Sequence, residues 1–286
     1  MATTLYKEVI NSFIDSYSES ELAIYEKRNG RKVLNIKGRF WKETFYGFYE
    51  PIHWLSCMDI EYIFRPTMRC WGYRSTLSIQ DQSYANGFMP VHLLENIDGY
   101  TENTLPSKRR NQLRKSRKLA QIVQVIDPQP LYDFGYEILK SSVSRTGHGS
   151  ITSYTKYCSD SCNQILDPKR ITIAGLVDGV IGGYMVLFAV DQVMYIDSVI
   201  IATDYLKTDI GTALVFEAVQ IARRSEGIRS VVYGLNSRED SRLGVFKEGM
   251  GFDVRSWPIK YQIPSLMLHA LGLYSPDKLY RLTGMQ

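Results

Sequence analysis

Residues 170–201, "RITIAGLVDGVIGGYMVLFAVDQVMYIDSVII", constrain this chain more than any other stretch. The part from Thr172 to Asp191 has nearly the length of a membrane span. Asp178 interrupts it, however, and Asp178-Gly179 between two β-rich runs is a hairpin signal. Three consecutive strands are therefore predicted, "RITIAGLVD", "VIGGYMVLFAV" and "QVMYIDSVII", and no membrane span. With 286 residues, 44% of them apolar, the chain can bury a substantial core as one large domain or two small ones. A balance of 34 Lys+Arg against 30 Asp+Glu leaves +4, too mild to mark a nucleic-acid binder without local clustering. Cys57, Cys70, Cys158 and Cys162 are too few and too scattered for a disulfide framework, which points to a reducing, cytoplasmic setting. Cys158 and Cys162 have helical spacing but lack a second ligand pair, so no metal site is expected. The polar and acidic N-terminal residues do not read as an export signal.

Leu5, Val9, Phe13, Ile14 and Tyr17 recur at near-helical spacing, predicting an amphipathic helix over residues 4–28 that Asn29-Gly30 stops. The aromatic-rich stretch 32–78 reads as mixed structure. Seven of the eleven positions from Lys108 to Lys118 are basic: Lys108, Arg109, Arg110, Arg114, Lys115, Arg117 and Lys118. They form either a solvated helix face or a surface for a polyanion, such as tRNA or an acidic acyl carrier protein. Helices near 129–145 and 151–166 lead into the three strands, and a further helix closes at Gly227. Strand "SVVYGL", a helix over "SREDSRLGVFKEGM" and a last strand around "DVRSWPIKYQI" follow. The order predicts an α/β chain with a mixed sheet. Residues 1–103 form a mixed N-terminal region, 104–262 a catalytic domain and 263–286 a helical tail. In that tail Leu266, Ala270 and Leu273 are expected to pack on the body or to pair with a second copy, which leaves oligomeric state open.

A glycine in the first turn of the helix in "YLKTDIGTALVFEAVQIARR" costs about 1 kcal/mol relative to alanine, so something offsets it. Thr208 or Asp209 can cap the helix, leaving the amides of Ile210, Gly211 and Thr212 among the unpaired first-turn donors. Two readings stay open. Gly211 and Ala213 allow tight packing, or they keep the approach clear for an anion held by the amides and the positive end of the dipole.

The strand run ending in "MYIDSVI", the glycine-bearing helix, "SVVYGLN" and a helix finishing in "FKEGMGF" together resemble the GNAT acyltransferase superfamily. Its usual loop has Gln or Arg where this chain has Thr208. Within the superfamily, "KRRNQLRKSRK", "SSVSRTGH" and "FKEGMGF" resemble the FemABX-like acyltransferases over residues 88–257. The resemblance implies a GNAT-like fold, with residues 1–103 as a shortened or degenerate first repeat. It also implies transfer of an acyl or aminoacyl group to a small-molecule or peptide amine.

Under that resemblance the segment Lys207, Thr208, Asp209, Ile210, Gly211, Thr212 and Ala213 holds the phosphates of an acyl-CoA or phosphopantetheine thioester. Backbone groups of Val199, Ile200 and Ile201 line its arm. The missing Gln or Arg weakens the case for CoA, yet a thioester ranks ahead of aminoacyl-tRNA. Lys247, the lysine of the "FK" motif, binds donor phosphate or steadies transition-state charge, while its neighbour Phe246 is assigned to the core. Asp197, in an otherwise apolar strand, is a candidate base if burial raises its pKa. Tyr233 is a candidate proton donor to the leaving group, with Asn236 beside it at the strand end. Arg145 and His148, in "SRTGHG", are expected to border the acceptor. A non-catalytic binding module on the same fold is the alternative.

Overall fold

The computed structural model describes residues 4–147 and 149–285. Two compact units interleave along the chain, where consecutive domains were expected. The first contains residues up to Tyr17, Leu94–Tyr233 and Gly249–Phe252; the second contains Ser18–Leu93, Gly234–Glu248 and everything from Asp253 onward.

Along the chain, β1 (Tyr6–Glu8) and β2 (Ser16–Tyr17) are followed by α1 (Glu19–Arg28), β3 (Val33–Ile36), β4 (Arg39–Phe45), β5 (Phe48–Pro51), β6 (Gly72–Thr76) and β7 (Gly87–Leu94). Next come α2 (Ser107–Leu119), β8 (Gln121–Val125), α3 (Tyr136–Thr146) and α4 (Tyr154–Leu166). The predicted three strands are β9 (Arg170–Val177), β10 (Val180–Val190) and β11 (Val193–Ile201). The chain then runs through α5 (Ile210–Arg224), β12 (Ser230–Leu235), α6 (Ser241–Gly249), β13 (Asp253–Gln262), α7 (Ser265–Tyr274) and α8 (Pro276–Thr283).

In the first unit the sheet order is β1-β8-β9-β10-β11-β12, antiparallel along that path except for the parallel β11–β12 pair, and β2 adds a short parallel pairing to β10. Asp178 and Gly179 both adopt positive φ, as the predicted tight turn requires. Both faces of β9 and β10 are covered, which explains their continuous apolar sequence. On one face, Ala174, Tyr184 and Val186 pack with Ile138 of α3 and Tyr157 of α4. Strand alternation turns Ile173, Met185 and Leu187 to the other face, where α5 lies with residues from Ile210 to Ala222 buried.

The second unit has the order β7-β13-β6-β5-β4-β3, around a core of Trp41, Tyr49, Met58, Tyr73 and Leu77. Its sheet also mixes directions, because β5 and β6 run parallel while their neighbours pair antiparallel.

Three expectations need correction. The predicted helix over 4–28 exists only as α1, because Ser18 and Glu21 form a reciprocal capping box that starts it at Glu19. Before that, Tyr6 to Glu8 pair with β8, Ile14 is buried and Phe13 faces solvent. In the tail, Leu266 and Leu273 are 79% and 64% exposed and do not pack inward. Asp209 stands at the start of α5, but left-handed, with φ 57°, and its side chain does not cap the helix.

Candidate functional site

The turn that opens α5 is seated on the sheet by glycines. A Cβ on Gly175 would overlap Ile210, one on Gly182 would overlap Tyr205, and one on Gly211 would lie 2.9 Å from Cδ1 of Ile201. The missing side chains of "AGL", "IGG" and "DIGTA" thus let α5 sit close against β9, β10 and β11. The packing reading of Gly211 is therefore correct as far as it goes. It does not displace the anion reading, since Gly211 stays half-buried while Ile210, Thr212 and Ala213 are buried.

Thr212 N–H already donates to the carbonyl of Asp209, and the buried Thr208 hydroxyl donates to the carbonyl of Tyr205. The remaining first-turn amides point along the dipole's positive end. Lys207 is exposed beside them. The Asp209 carboxylate is held by α2: Gln112 Nε2 donates to one oxygen and Lys115 Nζ to the other, each at 2.9 Å.

Much of the basic run on α2 is spent in this way. Arg114 and Arg117 both bind Glu102, and Arg117 also approaches Glu217, while Arg110 donates to the carbonyl of Leu105. Arg109 is buried, donates to Gln112 Oε1 at 2.8 Å, and lies where a Cβ on Gly249 would fall. Burial lowers its pKa. The motifs "KRRNQLRKSRK" and "FKEGMGF" therefore meet through Arg109 and Gly249.

Strand β11 carries the second feature. Val186 pairs with Ser198 but Leu187 with Ile196, so Asp197 is the extra residue of a β-bulge. The parallel pairing with β12 stops at Tyr195↔Val232, while β11 continues to Ile201. A bulge bends and twists its strand, which accounts for the two parallel strands parting there. Val199, Ile200 and Ile201 remain paired to β10 on one edge and are half-buried. The strand end is fixed by α3: Arg145 Nη2 donates to the carbonyl of Ile201 at 3.1 Å, and Ser141 Oγ accepts from Thr203 N–H at 3.0 Å. Arg145 is thus engaged with β11, where a place bordering the acceptor was expected. His148 lies outside the described residues.

Asp197 does not satisfy the premise of a base activated by burial. Its side chain is 42% exposed and its carboxylate is bound by the buried Arg170 guanidinium. Tyr233, the first β12 residue beyond the paired segment, is buried against Phe252 at 5.4 Å between ring centroids. Burial raises its pKa strongly and keeps the phenol protonated.

In the second unit, Lys247 is 7% exposed, although its place on a charged helix suggested a surface residue as readily as a functional one. Its Nζ donates to the carbonyl of Leu235, the last residue of β12, at 3.4 Å. Loss of hydration lowers its pKa to about 8. Asn236 turns elsewhere: its amide N–H donates to the carbonyl of Pro90 at 2.9 Å and its side chain to the Tyr280 hydroxyl at 3.4 Å. No helix among the described residues is long and apolar enough to cross a membrane.

The Acetyltransferase (GNAT) family model matches residues 137–252, which begin in α3 and end just before β13. No curated protein matches the sequence. Several solved structures share its fold. The C-terminal domain of a putative lysylphosphatidylglycerol synthetase from Agrobacterium fabrum superposes with TM-score 0.57 at 11% identity, over 93% of this chain and 98% of that one. FemX gives 0.60 at 10% identity, over 92% and 96%. L-PGS from Bacillus licheniformis gives 0.56 at 10% identity, over 93% and 99%.

Proposed function

We propose that this chain, whose residues 137–252 match the Acetyltransferase (GNAT) family model, is an N-acyltransferase that moves an acyl group from a CoA or carrier-bound pantetheine thioester to an amine. The observation that carries this reading is the bulge at Asp197, which ends the β11–β12 pairing and leaves one edge of β11 open toward the first turn of α5. Backbone groups of β11 beyond its pairing with β12 suit the amides of a pantetheine arm, and the α5 turn suits the phosphates beyond it. The residues fit such a donor. Gly211 leaves the turn open, Lys207 adds positive charge, and Lys115 and Gln112 already compensate the Asp209 carboxylate.

The thioester supplies an activated acyl carbon. Val199, Ile200 and Ile201 hold the arm by their backbone, with Arg145 fixing the strand end, so Arg145 is a positioning residue. Lys247, the lysine of the "FK" motif, is assigned the steadying of transition-state charge on that resemblance. As the C–N bond forms and the C–S bond breaks, Tyr233, kept neutral by burial, gives its proton to the leaving thiolate and is reprotonated by the proton that the amine nitrogen sheds. Asn236, tied to Pro90 and Tyr280, orients the strand end. Asp197 is assigned no proton transfer, because its carboxylate is bound by the Arg170 guanidinium.

A thioester is favoured over aminoacyl-tRNA because Glu102, Asp209 and Glu217 engage much of the positive charge on α2. Calorimetric titration with CoA and with tRNA separates the two. Saturable CoA binding supports the proposal. Binding of tRNA alone, with affinity falling steeply as salt rises, contradicts it.

A further inference from the structure

The second unit contains a cavity of about 530 Å³ that the donor site does not use. Its apolar wall includes Phe45, Trp54 and Trp71 from the strand side and Met267, Leu271 and Leu282 from α7 and α8. Leu235 also lines it, and the carbonyl of Leu235 accepts from Lys247 Nζ. The cavity therefore adjoins the residue that holds the buried ammonium.

Its charged lining is unequal. Glu50 and Arg74 are both buried and pair with each other, and the Arg74 guanidinium also donates to the carbonyl of Leu282, fastening α8 to β6. Arg281 pairs with Glu239 at 3.1 Å. Lys278, exposed at the rim, supplies a positive charge beyond those two pairs. The volume falls within the range of small-molecule sites, and flat aromatic walls with a cationic rim select a compact apolar body bearing one acidic group.

We infer that this cavity binds an apolar amino acid or dipeptide. Its ring or branched side chain lies among Trp54, Trp71 and Leu271, its carboxylate faces Lys278, and its amine faces the Leu235 end.

The test is calorimetry on the full chain without donor, using L-tryptophan, L-phenylalanine, glycine and tryptamine. L-Tryptophan or L-phenylalanine is expected to bind in the millimolar range or tighter, with glycine at least about tenfold weaker and the carboxylate-free tryptamine about threefold weaker. Lys278→Glu is expected to weaken L-tryptophan about three- to fivefold and leave tryptamine unchanged, as befits an exposed ion pair. Leu271→Trp, which fills the cavity, should abolish binding. Should Leu271→Trp fail to fold, Met267→Trp fills the same space from a more exposed position. The inference is overturned if neither aromatic amino acid binds up to about 10 mM, if tryptamine binds more tightly than tryptophan, or if neither charge reversal nor filling alters binding.

Discussion

The α5 turn and the α6 lysine handle charge in opposite ways. At the turn the positive potential comes from backbone amides, and the one acidic side chain, Asp209, is only partly exposed and matched by Lys115 and Gln112. Little charge is taken out of water there. On α6 a full ammonium is buried, with the Leu235 carbonyl among its partners, and its pKa falls to about 8. The first arrangement is built from glycines and strand geometry and costs little stability. The second opposes folding and persists when something other than stability retains it. Substitutions at the two places should therefore separate in sign.

The largest effect is expected at Lys247. Lys247→Met should lower kcat by about 100-fold, the order seen when a transition-state hydrogen-bond donor is removed. It should also raise unfolding free energy at pH 7 by about 2 kcal/mol, because no charge is then desolvated. Urea unfolding and steady-state assays measure both, and a destabilised variant with unchanged kcat would break the contrast.

Gly211→Val should raise the donor KM about tenfold and also destabilise, because the new branch meets Ile201. Adding Ile201→Ala makes room for the branch. The double variant should regain stability without regaining donor affinity. Recovery of affinity as well would mean that packing alone explains the glycine.

Gly249→Ala pushes on Arg109 and should cost about 1 kcal/mol, read as a shift in the thermal midpoint. A smaller effect is pH-dependent. The folded pKa of Lys247 lies below the unfolded value, so the unfolded state binds more protons between about pH 8 and 10.5. Stability from this group should rise with pH across that window, be lost below it, and show no such slope in Lys247→Met.

The two regions also differ in how far the sequence discloses them. The three strands, the Asp178-Gly179 turn and the glycine-bearing helix were readable because apolar runs, turn residues and the helical face are local signals. The parting of β11 and β12 was expected only by resemblance, since a bulge shows in register and not in composition. Strand spacing could not say that Asp197 meets Arg170, 27 residues earlier in the chain, and a charge run could not say that α2 binds its own carboxylates. Lys247 was identified by motif, but its burial depends on packing that no local pattern encodes. The cavity was invisible for the same reason, since residues near 45, 74 and 280 come together only on folding. Helical spacing misled at residues 4–18, where pairing with β8 and the Ser18 cap override it.

The central claim is that one open strand edge and one helix turn together grip the donor. Amide hydrogen exchange with and without CoA tests it most directly. The account predicts added protection concentrated at Ile196–Ile201 and Ile210–Thr212, and its loss at Ile210–Thr212 in Gly211→Val. Unchanged exchange at both segments in the presence of saturating CoA, or protection confined to other elements, would contradict it.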